Sequence, residues 1–552
     1  MPAYRKWLTV STVLILASAA LLAACSDTNR AAPGDTAASG DAAAVKPVRQ
    51  HISSTVYDRS NVPSTEGSTE NNRWTKWLNE NGPANVNFVA VPRFESRQKL
   101  NVMFASASAP DLIFEYDPFI KNPLYDQKML MPIDDMIEKY STEYKKLLKQ
   151  YPALKKVGTK ADGKLYEFGR LQEVLPIHAI LIREDWLKKL NLQAPTTTEE
   201  LYQVAKAFAE NDPDGNGQKD TYGMAISLQS GYVINQVFQA TSWVVKDGSL
   251  TRNFENFKAA AEFKKRLFDE GIVDKDYLND KNGAKAKQDF INGKIGIYPL
   301  QIDWYGFTIN ELASLKKNVP DAAVAPLPYP RSPAGQFNPA YTNPVQATAV
   351  VNAHAKHPEA IMSYVDFLVK PETMKTLKYG IENEHWNPGP NGCPLIIDAG
   401  KQKTEVSYNG DLQMLSSSIL DAKCGKIETK FNPDNPIEKE GLALFKKAMD
   451  IYTDPAKPYV EITHPEHLPQ LPKDIEAISV NLTKPIDDLW IKAILGGKGY
   501  TPEQAMSDAM AAWEKGSGKK VEEWFANWWK NDSKNSFLAK DIIDMMKQQT
   551  GK

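Results

Sequence analysis

The sequence predicts an α/β protein with parallel sheets flanked by helices and with more than one core. Three observations carry that expectation. Strand-like and helix-like segments alternate along the first part of the body, the pattern of a parallel sheet covered by helices. The chain has 552 residues, and single cores stop growing beyond about 250–300 residues. Cysteine is scarce, with 3 in the chain, so apolar burial must hold the fold in place of a disulfide framework.

The N-terminus reads as an export signal. Arg5 and Lys6 precede an apolar run from Trp7 to Ala24, which ends in Leu22-Ala23-Ala24-Cys25. A basic start, an apolar middle and small residues before a cut define such a signal, here residues 1–24. The cysteine after the cut resembles the lipobox of bacterial lipoproteins. That resemblance implies that Cys25 carries lipid and tethers the mature chain to a membrane. An uncleaved transmembrane anchor is the other reading, for which about 20 apolar residues are needed. Residues 25–45 are rich in Ala, Ser, Gly, Asp and Thr and read as a flexible tether.

The body then alternates. His51 to Tyr57 is β-rich, and Asn72 to Leu78, with Trp74 and Trp77, has helical spacing. Val86 to Val91 reads as a strand stopped by Pro92, Phe94 to Ala105 as a helix, and Asp111 to Phe114 as a short strand. In parallel sheets, ligands bind beyond the carboxyl ends of the strands. That rule points to Tyr57-Asp58-Arg59, Arg93-Phe94 and Glu115-Tyr116-Asp117. Pro176 to Ile182 reads as a strand crossing into a second unit. Thr197-Thr198-Glu199-Glu200 matches a capping box opening a helix to about Glu210. Asn253 to Glu270 and His357 to Val369 read as helices, Ile295 to Tyr298 as a strand, and Pro502 to Lys547 as mainly helical.

The sharpest motif is Asp212-Pro213-Asp214-Gly215-Asn216-Gly217-Gln218-Lys219-Asp220. Oxygen side chains at alternate positions with a glycine at the sixth match the first part of an EF-hand calcium loop. Asp212, Asp214, Asn216 and Asp220 supply side-chain oxygens and Gln218 a carbonyl. The twelfth position is Gly223, so remaining ligands must come from elsewhere, Thr221 or a distant acid. A metal-free Asp/Asn/Gly turn is the alternative. The expected ion is a structural Ca2+.

Twelve tryptophans permit a sugar site, in which flat rings stack on C–H faces and polar groups bond the hydroxyls. Trp304-Tyr305 and Trp386 fall in expected loops and are candidates for ligand contact, as are Trp243 and Tyr341. Trp74, Trp77 and the tail tryptophans read as core. Cys393 and Cys424 form either a disulfide or two buried thiols. A formal charge of -2 argues against a nucleic-acid partner. G-x-S-x-G, P-loop and H-E-x-x-H patterns are absent from the sequence.

The order of these parts resembles the large bacterial extracellular solute-binding proteins of family 1, which serve carbohydrate ABC importers. The carrying stretches are Asn72–Trp77, Phe88–Leu100, Ala109–Ile113, Pro195–Leu201 leading to the Asp212–Asp220 loop, Gly293–Gly296, Tyr379–Glu382 and His385-Trp386. The resemblance implies a two-lobed, periplasmic-binding-protein-like fold with a hinge. It also implies a truncated calcium loop like that of alginate-oligosaccharide binders, with Thr221 where an acid is common. By analogy the first lobe holds 46–175 and 331–375, and the second holds 176–330 and 376–552. The implied function is capture of an oligosaccharide by a monomeric, lipid-anchored protein on the outer face of the cytoplasmic membrane, for delivery to ABC permease subunits. An exported carbohydrate-active enzyme, or a lipoprotein adhesion module, is the competing reading.

Overall fold

Residue patterns decide the sheets first. The computed structural model describes residues 49–551 other than 281, 390, 418, 420 and 422 and the side chain of Leu228. The chain divides into Met1–Val48 and Arg49–Lys552, and the second unit is the body described below. Cys25, the export signal and the tether lie outside the described residues.

Taken in chain order, β1 (His51–Asp58), β2 (Asn85–Pro92), β3 (Leu112–Phe114) and β4 (Glu167–Leu171) enter a first sheet. β5 (His178–Arg183) and β6 (Tyr222–Met224) enter a second. β7 (Trp243–Lys246) and β8 (Ser249–Arg252) form a separate hairpin. β9 (Ile295–Gln301) and β10 (Val324–Pro326) complete the second sheet, and β11 (Val345–Val351) returns to the first. β12 (Trp386–Pro388) pairs with β13 (Pro394–Ile396).

The first sheet has the order β2-β1-β3-β11-β4. β1 is parallel to β2 and β3, and β11 is antiparallel to β3 and β4. β4 therefore runs with β1, β2 and β3, so four carboxyl ends share one edge. The second sheet has the order β10-β5-β9-β6, with β6 parallel to β9 and β5 antiparallel to both its neighbours. Each sheet has its own core. Ile52, Phe88, Phe114 and Phe168 pack with the helix Pro358–Leu368 in one. Leu181, Phe208, Ile297 and Trp513 pack in the other.

Local chemistry sets the element ends. Asn72 caps the helix Arg73–Asn81, its side chain accepting the backbone N–H groups of Trp74 and Thr75. Thr197 and Glu200 form the expected capping box of the helix Thr198–Glu210, which satisfies otherwise unpaired N–H groups. The tail is helical at Pro502–Lys515, Gly518–Asn531 and Ala539–Thr550. Trp74, Trp513 and Trp528 are buried, as their helical spacing predicts.

Two placements depart from the expected division. Val406, Tyr408, Leu412 and Met414, expected in the second lobe, pack in the first core, because their segment covers the helix Pro371–Tyr379. The final helix also leaves the second lobe. Its Ile542 and Met546 pack with Leu154 and Leu171, and Asp541 pairs with Lys156 at 2.8 Å. Chain crossings lie between β4 and β5, between β10 and β11, and between Leu415 in the first core and Ile427 in the second. Cys393 and Cys424 form a disulfide, with Cα atoms 5.3 Å apart, that ties the β12–β13 turn to this last crossing.

One buried ion pair braces the first sheet. Lys121 and Glu167, 2% and 3% exposed, meet at 2.5 Å, and Lys160 also bonds Glu167. Burial alone would raise the Glu167 pKa, but the two ammonium groups overcome it and hold the carboxyl down at about 2. The stabilisation is thus present above the ordinary 4.5 and lost as pH falls toward about 2. Lys121→Met leaves Glu167 with one cation and a methylene surface, and is expected to cost about 3–5 kcal/mol, the range for breaking a buried pair. Urea unfolding at pH 7, followed by a probe in the first lobe, reads it; a loss below about 1 kcal/mol would contradict the assignment.

Candidate functional site

The carboxyl edge of the first sheet gathers an aromatic and cationic cluster. Tyr57 ends β1 and Tyr116 follows β3, and their rings stack with centroids 6.0 Å apart. Arg93, just beyond β2, lies 4.8 Å from the Tyr57 centroid and 5.9 Å from that of Tyr116. Arg170, near the end of β4, lies 5.5 Å from the Tyr116 ring and donates from Nε and Nη2 to Gln346 Oε1 at 3.1 and 2.8 Å. Arg59 donates to both oxygens of Asp411, at 2.6 and 2.9 Å. The buried Glu115 accepts from the Tyr57 hydroxyl and from the Asp117 N–H. Burial and then the Glu115 charge push the Tyr57 phenol far above its ordinary range, so it stays a donor. Burial also raises Tyr116.

The second lobe contributes a cavity of about 470 Å³. Tyr232, Trp243, Phe257, Tyr277 and Trp490 supply its rings, and Asn235, Gln236, Lys264 and Glu461 its polar groups. Tyr232 donates to Glu461 at 2.8 Å. Lys264 donates to Asn235 Oδ1 at 2.6 Å, and burial lowers its ammonium to about 8. His178 packs on Tyr232 and is held neutral by burial, at about 4. A polar path joins cavity and edge. Gln346, which holds Arg170, donates to Glu466 at 3.3 Å, and Glu466 sits in the segment whose Glu461, Thr463 and Pro465 line the cavity.

The sequence-named residues divide accordingly. Arg59, Arg93, Glu115, Tyr116, Asp58 and Asp117 do meet at one edge. Within it, Asp58 accepts from the Ser60 N–H and Thr69, and Asp117 caps the helix Pro118–Asp126. Trp243 lines the cavity, with Phe525 at 4.3 Å behind it. Trp304, Tyr341 and Trp386 do not face a cleft. Their rings are 2%, 0% and 3% exposed, and their polar atoms bond backbone carbonyls at Pro176, Tyr452 and Gly380. The loops expected there are packed on protein, so these rings serve the core. Tyr305 is half-buried against Phe431. Arg170 has no motif of its own in the sequence; its place near the carboxyl end of β4 brings it under the same edge rule. Tyr232 and Gln236, four residues apart on the helix Leu228–Val237, gave no signal apart from ordinary helical spacing.

The Asp212–Asp220 loop folds as its residues direct. Asp212 accepts the backbone N–H groups of Gly215, Asn216 and Gly217 at 3.0–3.1 Å. The Asn216 amide bridges Asp214 and Asp220, and its oxygen accepts the Gln218 N–H. Burial, then Asp212, raises Asp214, while Asp212 itself is lowered by its contact with Asp214. Two carboxylates on the Asn216 amide and a third, Asp212, on the loop backbone supply oxygens of the kind a hard cation takes, although Lys294 already pairs with Asp220 at 2.9 Å. Thr221 is unlike the expectation: it is buried, and its hydroxyl donates to the Phe208 carbonyl at 3.0 Å. Gly223 cannot be a ligand-bearing residue, because a Cβ there would lie 1.8 Å from the Ala205 carbonyl oxygen. A second cluster, Glu384, His385 and Glu405, could also hold a metal ion by spacing, but Arg73 lies 2.8 Å from both carboxylates.

Two α/β lobes, with strand ends gathered at one edge and an aromatic cavity in the second, suit a ligand-binding protein. The model of the bacterial extracellular solute-binding proteins matches residues 62–375, and the chain belongs to that family. It is 27% identical over 431 residues to the polygalacturonan/rhamnogalacturonan-binding protein YtcQ of Bacillus subtilis, covering 75% of this chain and 80% of that one. It is 27% identical over 465 residues to FusA, the fructooligosaccharide ABC transporter substrate-binding protein of Streptococcus pneumoniae, covering 77% and 81%. A crystal structure of the alginate-binding protein AlgQ2 without calcium ion has a TM-score of 0.59 at 17% identity, covering 88% and 99%. Among the described residues no helix is long and apolar enough to cross a membrane.

Gly223→Ala should destabilise the second lobe by about 2 kcal/mol or more, the cost of overpacking, because the Ala205 carbonyl must move. Thermal unfolding measures it, and an unchanged midpoint would refute the close approach.

Proposed function

We propose that this chain captures an oligosaccharide between the carboxyl edge of the first lobe and the cavity of the second, and passes it to the permease subunits of an ABC importer. The observation that carries the reading is the chain of contacts from Tyr116 through Arg170 and Gln346 to Glu466, in the same segment as Glu461, Thr463 and Pro465 of the aromatic cavity. Rings meet sugar C–H faces, and amides, acids and guanidiniums bond the hydroxyls. Arg59, Arg93, Tyr116 and Trp243 are the proposed contacts, joined by Arg170, Tyr232 and Trp490, while Asp58, Glu115 and Asp117 orient them. The relatives named for polygalacturonan and fructooligosaccharide support a sugar ligand.

The protein acts as a monomer, anchored outside the cytoplasmic membrane by lipid at Cys25; a relative is named lipoprotein LipO. The lobes are assigned by their sheets, with the third crossing near 416–426. The Asp212–Asp220 loop binds a structural Ca2+ through Asp212, Asp214, Asn216, Asp220 and the Gln218 carbonyl, with waters in place of the Thr221 and Gly223 ligands. The comparison that supports that assignment is the alginate-binding protein AlgQ2, solved in a form without calcium ion.

A thermal-shift screen against neutral and acidic oligosaccharides tests both parts. A true ligand at about 100 times its Kd adds about 2.7 kcal/mol, and Trp243→Ala should remove most of that gain. Chelator should lower the midpoint of the wild type but not of an Asp212→Asn/Asp214→Asn variant. No stabilisation by any glycan would defeat the sugar reading, and indifference to chelator would defeat the calcium site.

A further inference from the structure

Four cations line the first-lobe side of the site without an acidic partner. Among the described residues, no carboxylate lies within ion-pair distance of Arg93, Arg170, Lys378 or Lys430, whereas Arg59 is fully engaged by Asp411. The edge's own acids bond elsewhere: Asp58 to Ser60 and Thr69, Asp117 to its helix and Arg97, and Glu115 through Oε1 to Tyr57, its Oε2 being buried without a hydrogen-bond partner among the described residues. Arg93 and Arg170 flank Tyr116, their guanidinium carbons 5.9 and 5.5 Å from the ring centroid. From Arg170 a groove of about 340 Å³ continues past Lys378 and Lys430. Its acids are Asp303 and Glu173, which accepts the Ile427 N–H at 3.0 Å and whose charge acts on Lys378.

Neutral hydroxyls do not require this arrangement. A guanidinium held only by a neutral amide, as Arg170 is by Gln346, gains a charge-assisted bond when an anion binds. Its planar fork matches a carboxylate in a way that a hydroxyl does not. Burial, then the neighbouring Lys430, lowers the Lys378 ammonium to about 8, against the opposing pull of Glu173 and Asp421.

We propose that the ligand is an anionic oligosaccharide, a short chain of uronic acids or similarly carboxylated sugars, whose carboxylates lie against Arg93, Arg170 and Lys378. This rests on the oligosaccharide reading and adds a charge to it. Tyr116 takes a ring face between two carboxylate-binding arginines, and the groove past Lys378 takes the next residue of the glycan.

Calorimetric titration of the full mature chain settles it, with trimers of galacturonate, mannuronate and guluronate, their methyl esters, and neutral galactotriose. At least one uronate trimer should bind, and its methyl ester should bind at least tenfold more weakly. Arg93→Gln and Arg170→Gln should each cost roughly tenfold to a hundredfold, the span of one charge-assisted hydrogen bond, and binding of the uronate should weaken with added salt. Lys378→Met provides the same readout if either arginine variant fails to fold. Equal binding of galactotriose and the uronates, or full uronate affinity in the folded variants, would overturn the anionic assignment and leave the oligosaccharide reading standing. If no saccharide binds, acidic or neutral, both fall.

Discussion

The two sheets are joined through a small buried junction, and the site depends on it. Pro176 bridges Tyr341 where two crossing segments run side by side. The Tyr341 hydroxyl donates to the Tyr452 carbonyl at 2.5 Å. The Tyr452 hydroxyl accepts the Ile180 N–H at 3.0 Å and donates to the Leu327 carbonyl at 2.7 Å. Burial drives both phenols well above their ordinary range, so they remain donors at any working pH. Buried hydroxyls with every bond satisfied specify one arrangement, since an unpaired group there costs about 1–3 kcal/mol. The junction fixes where β4 ends and β5 begins, and hence where Arg170 stands relative to the cavity.

Around that junction the chain places its two kinds of polar group in different ways. The Lys121–Glu167–Lys160 cluster is dry and mutually satisfied, and it stiffens the sheet behind the edge. Among the described residues, neither guanidinium of the Arg93–Tyr57–Tyr116–Arg170 stack is paired with a carboxylate, and Glu115 accepts from the Tyr57 hydroxyl. A preorganised cation over an aromatic face loses little entropy on meeting a ligand, and each such contact adds about 0.5–2 kcal/mol. The final helix then ties the crossing strand from outside, Gln549 accepting the Val174 N–H at 2.7 Å and donating to the Gln172 carbonyl at 3.1 Å. Motion between the lobes must therefore pass through segments held by specific bonds and not through a slack linker.

Much of this was legible in the sequence where one physical signal dominates. Pro92 stops β2, the Thr197/Glu200 pair opens its helix, and the parallel strands from His51 to Phe114 place Asp58, Arg93 and Glu115 on one edge by the carboxyl-end rule alone. The calcium-type loop was visible from spacing. What stayed hidden depended on partners distant in the chain. Trp304 and Trp386 fall in expected loops, yet their indole N–H groups bond Pro176 and Gly380 inside the core. The Val406–Leu415 segment has too little periodicity to announce that it covers the first lobe. Thr221 looks like a ligand by position, but its hydroxyl is taken by Phe208. The disulfide between Cys393 and Cys424 could only be left open, because pairing depends on a spatial approach that spacing does not encode.

The central claim is that one ligand touches both lobes at once. Hydrogen exchange on the mature protein, with and without a saturating oligosaccharide found by screening, tests it most directly. The account predicts slowed exchange in two places together: residues 57–59, 93–97 and 115–117 at the first edge, and 229–243 with 461–468 at the cavity. Protection confined to one lobe, or spread with no focus on either, would contradict it.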